Sequence, residues 1–212
     1  DEVRTGLIEE MDAAELTAAA EGLEVDDLAD LIADLPEKVT QQLLRNMDQQ
    51  DRERLSRVLS WPEDSAGGLM NTDTVSVRAD VSLEVVLRYL RMRGGLPDRT
   101  DRLFVVDRDD RFLGTVTLAS LLTEDPELLV GACLDPEAPR IAPSLPAREV
   151  AQLFRDRDLL SAPVVEESGR LLGRVTIDDV VDVITEEAAH EVMAGAGLRD
   201  EEDVFASVMP AS

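Results

Sequence analysis

Residues 173–191 hold the densest chemistry in the chain. Gly173, Arg174, Val175 and Thr176 read as the end of a strand. Ile177, Val180, Val181, Ile184 and Ala188 then recur at helical spacing and make one apolar stripe. The rest of that helix carries Asp178, Asp179, Asp182, Glu186, Glu187 and Glu191, with no lysine or arginine among them. A strand ending in glycine and threonine, with aspartate at the helix start, suits the hydroxyls of a ribose. A helix crowded with carboxylates suits a cation. These residues alone leave both readings open. Asp179 and Asp182 stand at i, i+3, and Glu187 and Glu191 at i, i+4. Asp26 and Asp30 form another i, i+4 pair near the opposite end of the chain. Like charges at such spacings destabilise a helix by roughly 0.2–0.5 kcal/mol, and a cation reverses the sign. Without a metal, Asp26 suits a helix N-cap, and Asp178 and Asp179 suit the positive end of a helix.

The elements around these residues follow from pattern. Residues 1–60 read as five short helices. Leu7, Ile8 and Met11 mark the first, Leu16, Ala19, Ala20 and Leu23 the second, and Leu28, Leu31, Ile32 and Leu35 the third. Val39, Leu43, Leu44 and Met47 mark the fourth, and Leu55, Val58 and Leu59 the fifth. Asp12, Asp26 and Asp48 stand where caps belong, and Pro36 stops the third helix. Short helices with short turns predict a superhelical stack. Residues 61–68 then form a boundary, with Pro62 and Gly67–Gly68 as breakers and Trp61 as a packing anchor.

From residue 69 the chain repeats itself. The segment Phe112–Leu122 aligns with Leu171–Val181, pairing Gly114 with Gly173 and Thr117 with Thr176. Each unit reads as βαββα, over 69–128 and 129–190. The first has strands 74–77, 103–106 and 112–117 with a helix over 81–92. The second has strands 140–142, 162–165 and 171–176 with a helix over 145–154. The first unit carries a longer gap before its middle strand, Arg93 to Arg102. Two such units packed sheet to sheet would bury a common core. The fold class is α+β, a helical domain followed by a tandem repeat.

Charge narrows the partners. The 212 residues contain 46 acids and 21 bases, net −25, and aromatics make up 3%. The net charge is −10 over residues 1–60, −6 over 61–175 and −9 over 176–212. Nucleic acid and anionic lipid need a positive surface and are excluded as partners. No apolar run reaches the roughly 18–20 residues of a membrane span, so direct membrane insertion of this segment is not expected. A single cysteine, Cys133, rules out an intrachain disulfide. His190 is the only histidine and reads as solvent-exposed, and a hydrolytic triad has no support.

The repeat resembles a tandem cystathionine-β-synthase (CBS) pair. The resemblance rests on the Gly-x-x-Thr-x-x-Asp pattern at a strand–helix junction and on the strand Ala162-Pro163-Val164-Val165. Acidic helices followed by Pro62-Glu63-Asp64-Ser65-Ala66-Gly67-Gly68-Leu69-Met70 and then a CBS pair resemble the cytosolic part of MgtE-type magnesium channels. The resemblance covers essentially the whole chain. It implies a helical domain truncated at its start and a connecting (plug) helix beginning over 191–212. It also implies covalent continuity with a membrane pore domain, placement on the cytoplasmic face of the membrane, and a homodimer through the CBS domains. It implies no catalysis.

In that family Mg2+ joins acidic surfaces of the dimer and the pore closes. Carried over by position, the metal residues are Asp26, Asp30, Asp158, Asp179, Asp182, Glu187 and Glu191. CBS pairs also bind adenosine nucleotides through the aspartate of Thr-x-x-Asp. Thr176 and Asp179 keep that pattern, whereas Thr117 is followed by Ala119 and by Ser120 in place of aspartate. ATP or AMP is therefore the alternative signal, and Asp179 cannot fully serve ribose and metal at once. A scaffold without a specific ligand, its acidity serving solubility or high salt, is the third reading.

Overall fold

The computed structural model describes residues 23–33, 35–185 and 188–189. The first two helices read from sequence, together with Glu187, His190 and Glu191, lie outside the described residues.

Three short helices open the described chain: α1 (Val25–Ala33), α2 (Glu37–Asn46) and α3 (Gln49–Val58). Asp48 caps α3 as its spacing predicts, accepting from the Asp51 N–H at 2.9 Å. Asp26 does not cap α1. The Leu28 N–H bonds the carbonyl of Glu24, which places Asp26 inside the first turn. There a carboxylate is still favoured by the helix dipole. Leu28, Ala29, Ile32, Leu43, Leu55 and Val58 turn inward from these helices and are buried.

The first repeat contains β1 (Ser76–Arg78), α4 (Leu83–Arg93), β2 (Arg102–Val106), β3 (Phe112–Thr117) and α5 (Leu118–Thr123). Its sheet runs β1-β2-β3, with β1 parallel to β2 and β2 antiparallel to β3. A four-residue helix, α6 (Val130–Cys133), leads into the second repeat. That repeat contains α7 (Ala147–Arg157), β4 (Ser161–Val165), β5 (Leu171–Thr176) and a final helix, α8, whose described turns cover 177–185. The repetition is exact in register. Arg102 faces Thr117 in one hairpin and Ser161 faces Thr176 in the other, and both ladders slip at equivalent points, Val105/Val106 and Val164/Val165.

The strand expected over 140–142 shrinks to one parallel bridge, Ile141 to Val164. Pro139 and Pro143 flank it, and proline can donate nothing to a ladder. The common sheet-to-sheet core is also corrected. The sheets share a small cluster of Phe104, Phe112, Ala138 and Val165. The first repeat has its own core around Leu83, Leu103, Val105 and Val130. The largest cluster instead joins the helical domain to the second repeat. Leu28, Ile32 and Leu55 pack in it with Met70, Val150, Phe154, Val164, Val175 and Val180. The apolar faces of the amphipathic helices complete the core of the second repeat.

Residues 61–70 are a packed joint between these parts. The N–H groups of Ala66 and Gly67 bond the carbonyls of Leu145 and Pro143, both at 2.8 Å. A Cβ at Gly67 would collide with the Trp61 ring, so the anchor expected at Trp61 sits directly over a glycine. Beyond the joint, Asn71 pairs with Arg174 of β5 across two backbone bonds of 2.8 and 2.9 Å. Gly173 permits this approach, because a Cβ there would stand 2.7 Å from the Asn71 carbonyl oxygen. The joint thereby fixes α1 against the start of α8.

Candidate functional site

A cavity of about 480 Å3 opens where α1, the 61–70 joint, the first turn of α7 and α8 converge. Asp26, Asp27 and Asp30 line it from α1, Glu63 and Asp64 from the joint, and Asp179 and Asp182 from α8. Arg148, at the start of α7, is the one basic residue on this wall among the described residues. Four residues singled out by spacing, Asp26, Asp30, Asp179 and Asp182, are thus brought to one space from opposite ends of the chain.

The geometry separates their roles. Asp26 is 6% exposed, and its Oδ1 is buried without a hydrogen-bond partner. Burial pushes its carboxyl up to about 7, and the negative charges of Asp179 and Glu24 push the same way. Asp179 is pushed up to about 6, first by burial and further by Asp178 and Glu24, while hydrogen bonds from Thr176 work against the rise. Asp30 and Asp182 stand exposed at the cavity mouth. Two carboxylates from different domains therefore face each other across a partly dry space. The charge of Asp179 makes ionisation of Asp26 harder.

Thr176 organises the α8 side. Its backbone N–H donates to Asp179 Oδ2 at 2.8 Å, which is the acid half of a capping box. Its hydroxyl lies 3.0 Å from the same oxygen and also within bonding reach of Asp178 Oδ1. Asp178 turns the other way and pairs with Arg99 at 2.8 Å. In the first repeat, Thr117 accepts from the Ser120 N–H at 3.0 Å, and the two hydroxyls share a bond of 2.9 Å. There the threonine hydroxyl caps the helix and no carboxylate takes part.

Asp158 lies apart from this cavity. It ends α7 in the left-handed conformation, φ 50°, with its side chain exposed. The wall residues Asp27, Glu63, Asp64 and Arg148 were not singled out from sequence. Glu63 and Asp64 do sit inside the Pro62–Met70 motif, which was the available signal. Among the described residues, no three carboxylates converge into a ready coordination set. The donors are nevertheless all oxygen, and one is buried and unsatisfied. That suits a hard cation that retains water, since Mg2+ is commonly held by one or two carboxylates.

A helical domain joined through an acidic cavity to a paired βαββα repeat defines a CBS-type regulatory module. The family models agree on both parts: the MgtE intracellular N domain matches residues 1–64, and the CBS domain matches 66–127 and 130–186. The chain belongs to the MgtE family. It is 35% identical over 171 residues to the magnesium transporter MgtE of Thermus thermophilus, covering 79% of this chain and 38% of that protein. It is 30% identical over 148 residues to the MgtE of Enterococcus faecalis, covering 70% of this chain and 33% of that protein. The chain therefore spans little more than a third of these relatives.

Among solved structures, the cytosolic domain of the Mg2+ channel MgtE in complex with ATP superposes with a TM-score of 0.81 at 33% identity, covering 86% of this chain and 75% of that one. The soluble part of a magnesium transporter superposes with a TM-score of 0.83 at 25% identity, covering 89% and 73%. Among the described residues no helix is long and apolar enough to cross a membrane.

Proposed function

We propose that this chain is the Mg2+-sensing regulatory part of a magnesium channel or transporter, with no catalytic role. The observation that carries the reading is Asp26. A carboxylate oxygen is buried without a partner in a cavity whose opposite wall presents Asp179. Such an arrangement costs free energy unless a positive charge is present. Bound there, Mg2+ supplies that charge and accepts oxygen ligands while keeping several waters.

Asp26 and Asp179 hold the inner side of this site, and Asp30 and Asp182 its mouth. Glu187 and Glu191, which lie outside the described residues, join the set by their place in the sequence, and Asp158 serves a separate contact. With their charge neutralised, α1 seats on α8. Without it, the two acidic walls repel and the helical domain loosens. In the whole protein, a pore domain in the membrane follows this segment, which lies on the cytoplasmic face. The seated form of a homodimer draws the connecting helices together and closes the pore. The exposed Val85, Tyr89 and Met92 of α4, at i, i+4 and i+7, together with Val181 and Ile184 of α8, supply apolar surface for that dimer.

The test is small-angle scattering with parallel calorimetry on the purified chain, in MgCl2 and in NaCl of matched ionic strength. Compaction by MgCl2 alone, lost in Asp26→Asn/Asp179→Asn, is expected. Equal compaction by NaCl would end the reading.

An adenine nucleotide is the second reading, favoured by the ATP complex of a 33% identical relative. Thr176 and Asp179 offer the ribose contact in one repeat, and Thr117 with Ser120 offers a weaker one in the other. Asp179 is already committed to Thr176 and faces Asp26, so the hydroxyl-lined first repeat has more freedom to take the nucleotide. ATP or AMP titration with and without Mg2+ separates the two signals.

A further inference from the structure

The two hairpins match in register, but their polar ends differ in burial. Residues directly opposite across a ladder share a face, and so do residues two apart on one strand. Ser161, Pro163 and Val165 of β4 therefore share a face with Thr176 and Arg174 of β5. Arg102 and Phe104 of β2 share the equivalent face with Thr117 and Thr115 of β3. Phe104 and Val165 meet in the small cluster between the sheets, so these two faces look toward each other. Their polar ends flank that cluster at equivalent positions. Thr117 is exposed at one end, whereas at the other Thr176 is 2% exposed and Ser161 1%.

The difference is the loop between α4 and β2. It runs over residues 94–101, eight residues, where the second repeat uses 158–160, three residues, between α7 and β4. The extra length crosses from the first repeat to the second. Arg99 pairs with Asp178 at 2.8 Å. The Asp98 carbonyl accepts from a terminal nitrogen of Arg174 at 2.6 Å. Asp101 accepts from the Ser161 hydroxyl. These partners ring Thr176: Ser161 faces it across the ladder, Arg174 lies two residues before it and Asp178 two after. Gly94 turns the chain out of α4 at φ 81°, and Arg99 stands at φ 54°, a conformation a non-glycine residue keeps only where its surroundings enforce it. Arg174 is 3% exposed, yet its Nε has no hydrogen-bond partner, so the loop satisfies this guanidinium only in part.

We propose that the 94–101 loop is a resident plug that closes the nucleotide cleft of the second repeat and leaves the cleft at Thr117 and Ser120 open. The loop supplies its own cation to Asp178, its own carboxylate to Ser161 and its own carbonyl to Arg174. A nucleotide reaches these groups only by displacing it. With the ribose side of α8 occupied in this way, Asp179 is left to the acidic cavity, and cation and nucleotide no longer compete for it. The identity of the excluded ligand rests on the nucleotide reading above, whereas the closure rests on the three contacts and on the burial of Thr176 and Ser161.

The test is a pair of measurements on the whole chain with the loop intact and opened. Arg99→Glu sets like charge against Asp178, and deletion of residues 95–99 cuts the linker to the length of its counterpart. If the deletion does not fold, Arg99→Glu decides alone. In calorimetry, the loop variants should bind one more ATP per chain than wild type. At the added site AMP should bind about tenfold more tightly than adenosine, because Arg174 is then free to meet a phosphate. Ser120→Ala should weaken the wild-type site and spare the added one. The second measurement needs no nucleotide. A Ser161→Cys thiol, in a Cys133→Ser background, should react with a maleimide about tenfold faster in the loop variants than beside the intact loop. Equal labelling, or a second ATP bound by the wild-type chain, would overturn the plug. So would a loop variant that labels faster but takes no more ATP than a wild type that binds it. If ATP binds none of these chains, the nucleotide reading fails, and labelling alone decides the plug.

Discussion

Asp26→Asn should stabilise the metal-free chain and destabilise it relative to wild type in saturating MgCl2. The substitution keeps the shape of the side chain and removes its charge. Asp26 rises from an ordinary 3.8 to about 7, roughly three units, and each unit is about 1.4 kcal/mol between protonation states. About 4 kcal/mol is therefore the ceiling on the cost of holding this group ionised in the folded state above pH 7. The cavity opens to water and the neighbouring Asp179 relaxes when Asp26 is neutral, so about 1–2 kcal/mol is the expected gain. In a chain of this size that raises Tm by about 2–8 °C. The assay is thermal unfolding at pH 8 in EDTA and in saturating MgCl2. Wild type should gain more from MgCl2 than the variant, and the two melting curves should exchange order. An Asp26→Asn chain that melts lower than wild type by the same amount in both buffers would refute the reasoning. It would make Asp26 a structural acceptor rather than an unmet charge.

Further outcomes follow from the same site. The folded-state values of Asp26 and Asp179 both lie above 3.8, so the native chain binds more protons than the unfolded one between about pH 4 and 7. Their contribution to metal-free stability is full below that window and is lost as pH rises through it. Denaturant midpoints in EDTA should fall from pH 5 to pH 8, and MgCl2 should flatten the fall. Thr176→Val removes the hydroxyl beside Asp178 and Asp179 but keeps the backbone bond, and should cost about 1 kcal/mol in urea unfolding. Ser120→Asp supplies the carboxylate that the first repeat lacks. It should tighten ATP binding about tenfold in calorimetry, a charge-assisted bond being worth about 1.5–3 kcal/mol before losses.

Much of this protein is decided locally and can be read in the chain. The βαββα repetition is visible in the alignment of Phe112–Leu122 with Leu171–Val181, and the strands Phe112–Thr117 and Leu171–Thr176 fall where the pattern puts them. Asp48 caps its helix because capping depends on a neighbour three residues away. The acid pairs are legible for the same reason, since helical spacing alone puts Asp26 with Asp30 and Asp179 with Asp182 on shared faces.

Contacts between distant segments were beyond such reasoning. That Asp26 is buried with one oxygen unpaired, and that Asp179 stands opposite, depends on the joint at 61–70 carrying α1 across to α8. Spacing offered nothing to mark Arg148 as a wall of the cavity. Pattern marks the inserted loop only as a gap, and only the fold brings Arg99 to Asp178 and the Asp98 carbonyl to Arg174. The core shows the same division. Each helix declared its apolar face, but the choice of the second repeat over a shared sheet-to-sheet core came from which faces met. Charges and apolar stripes are properties of residues, whereas burial and the field felt by a carboxylate belong to the assembled chain.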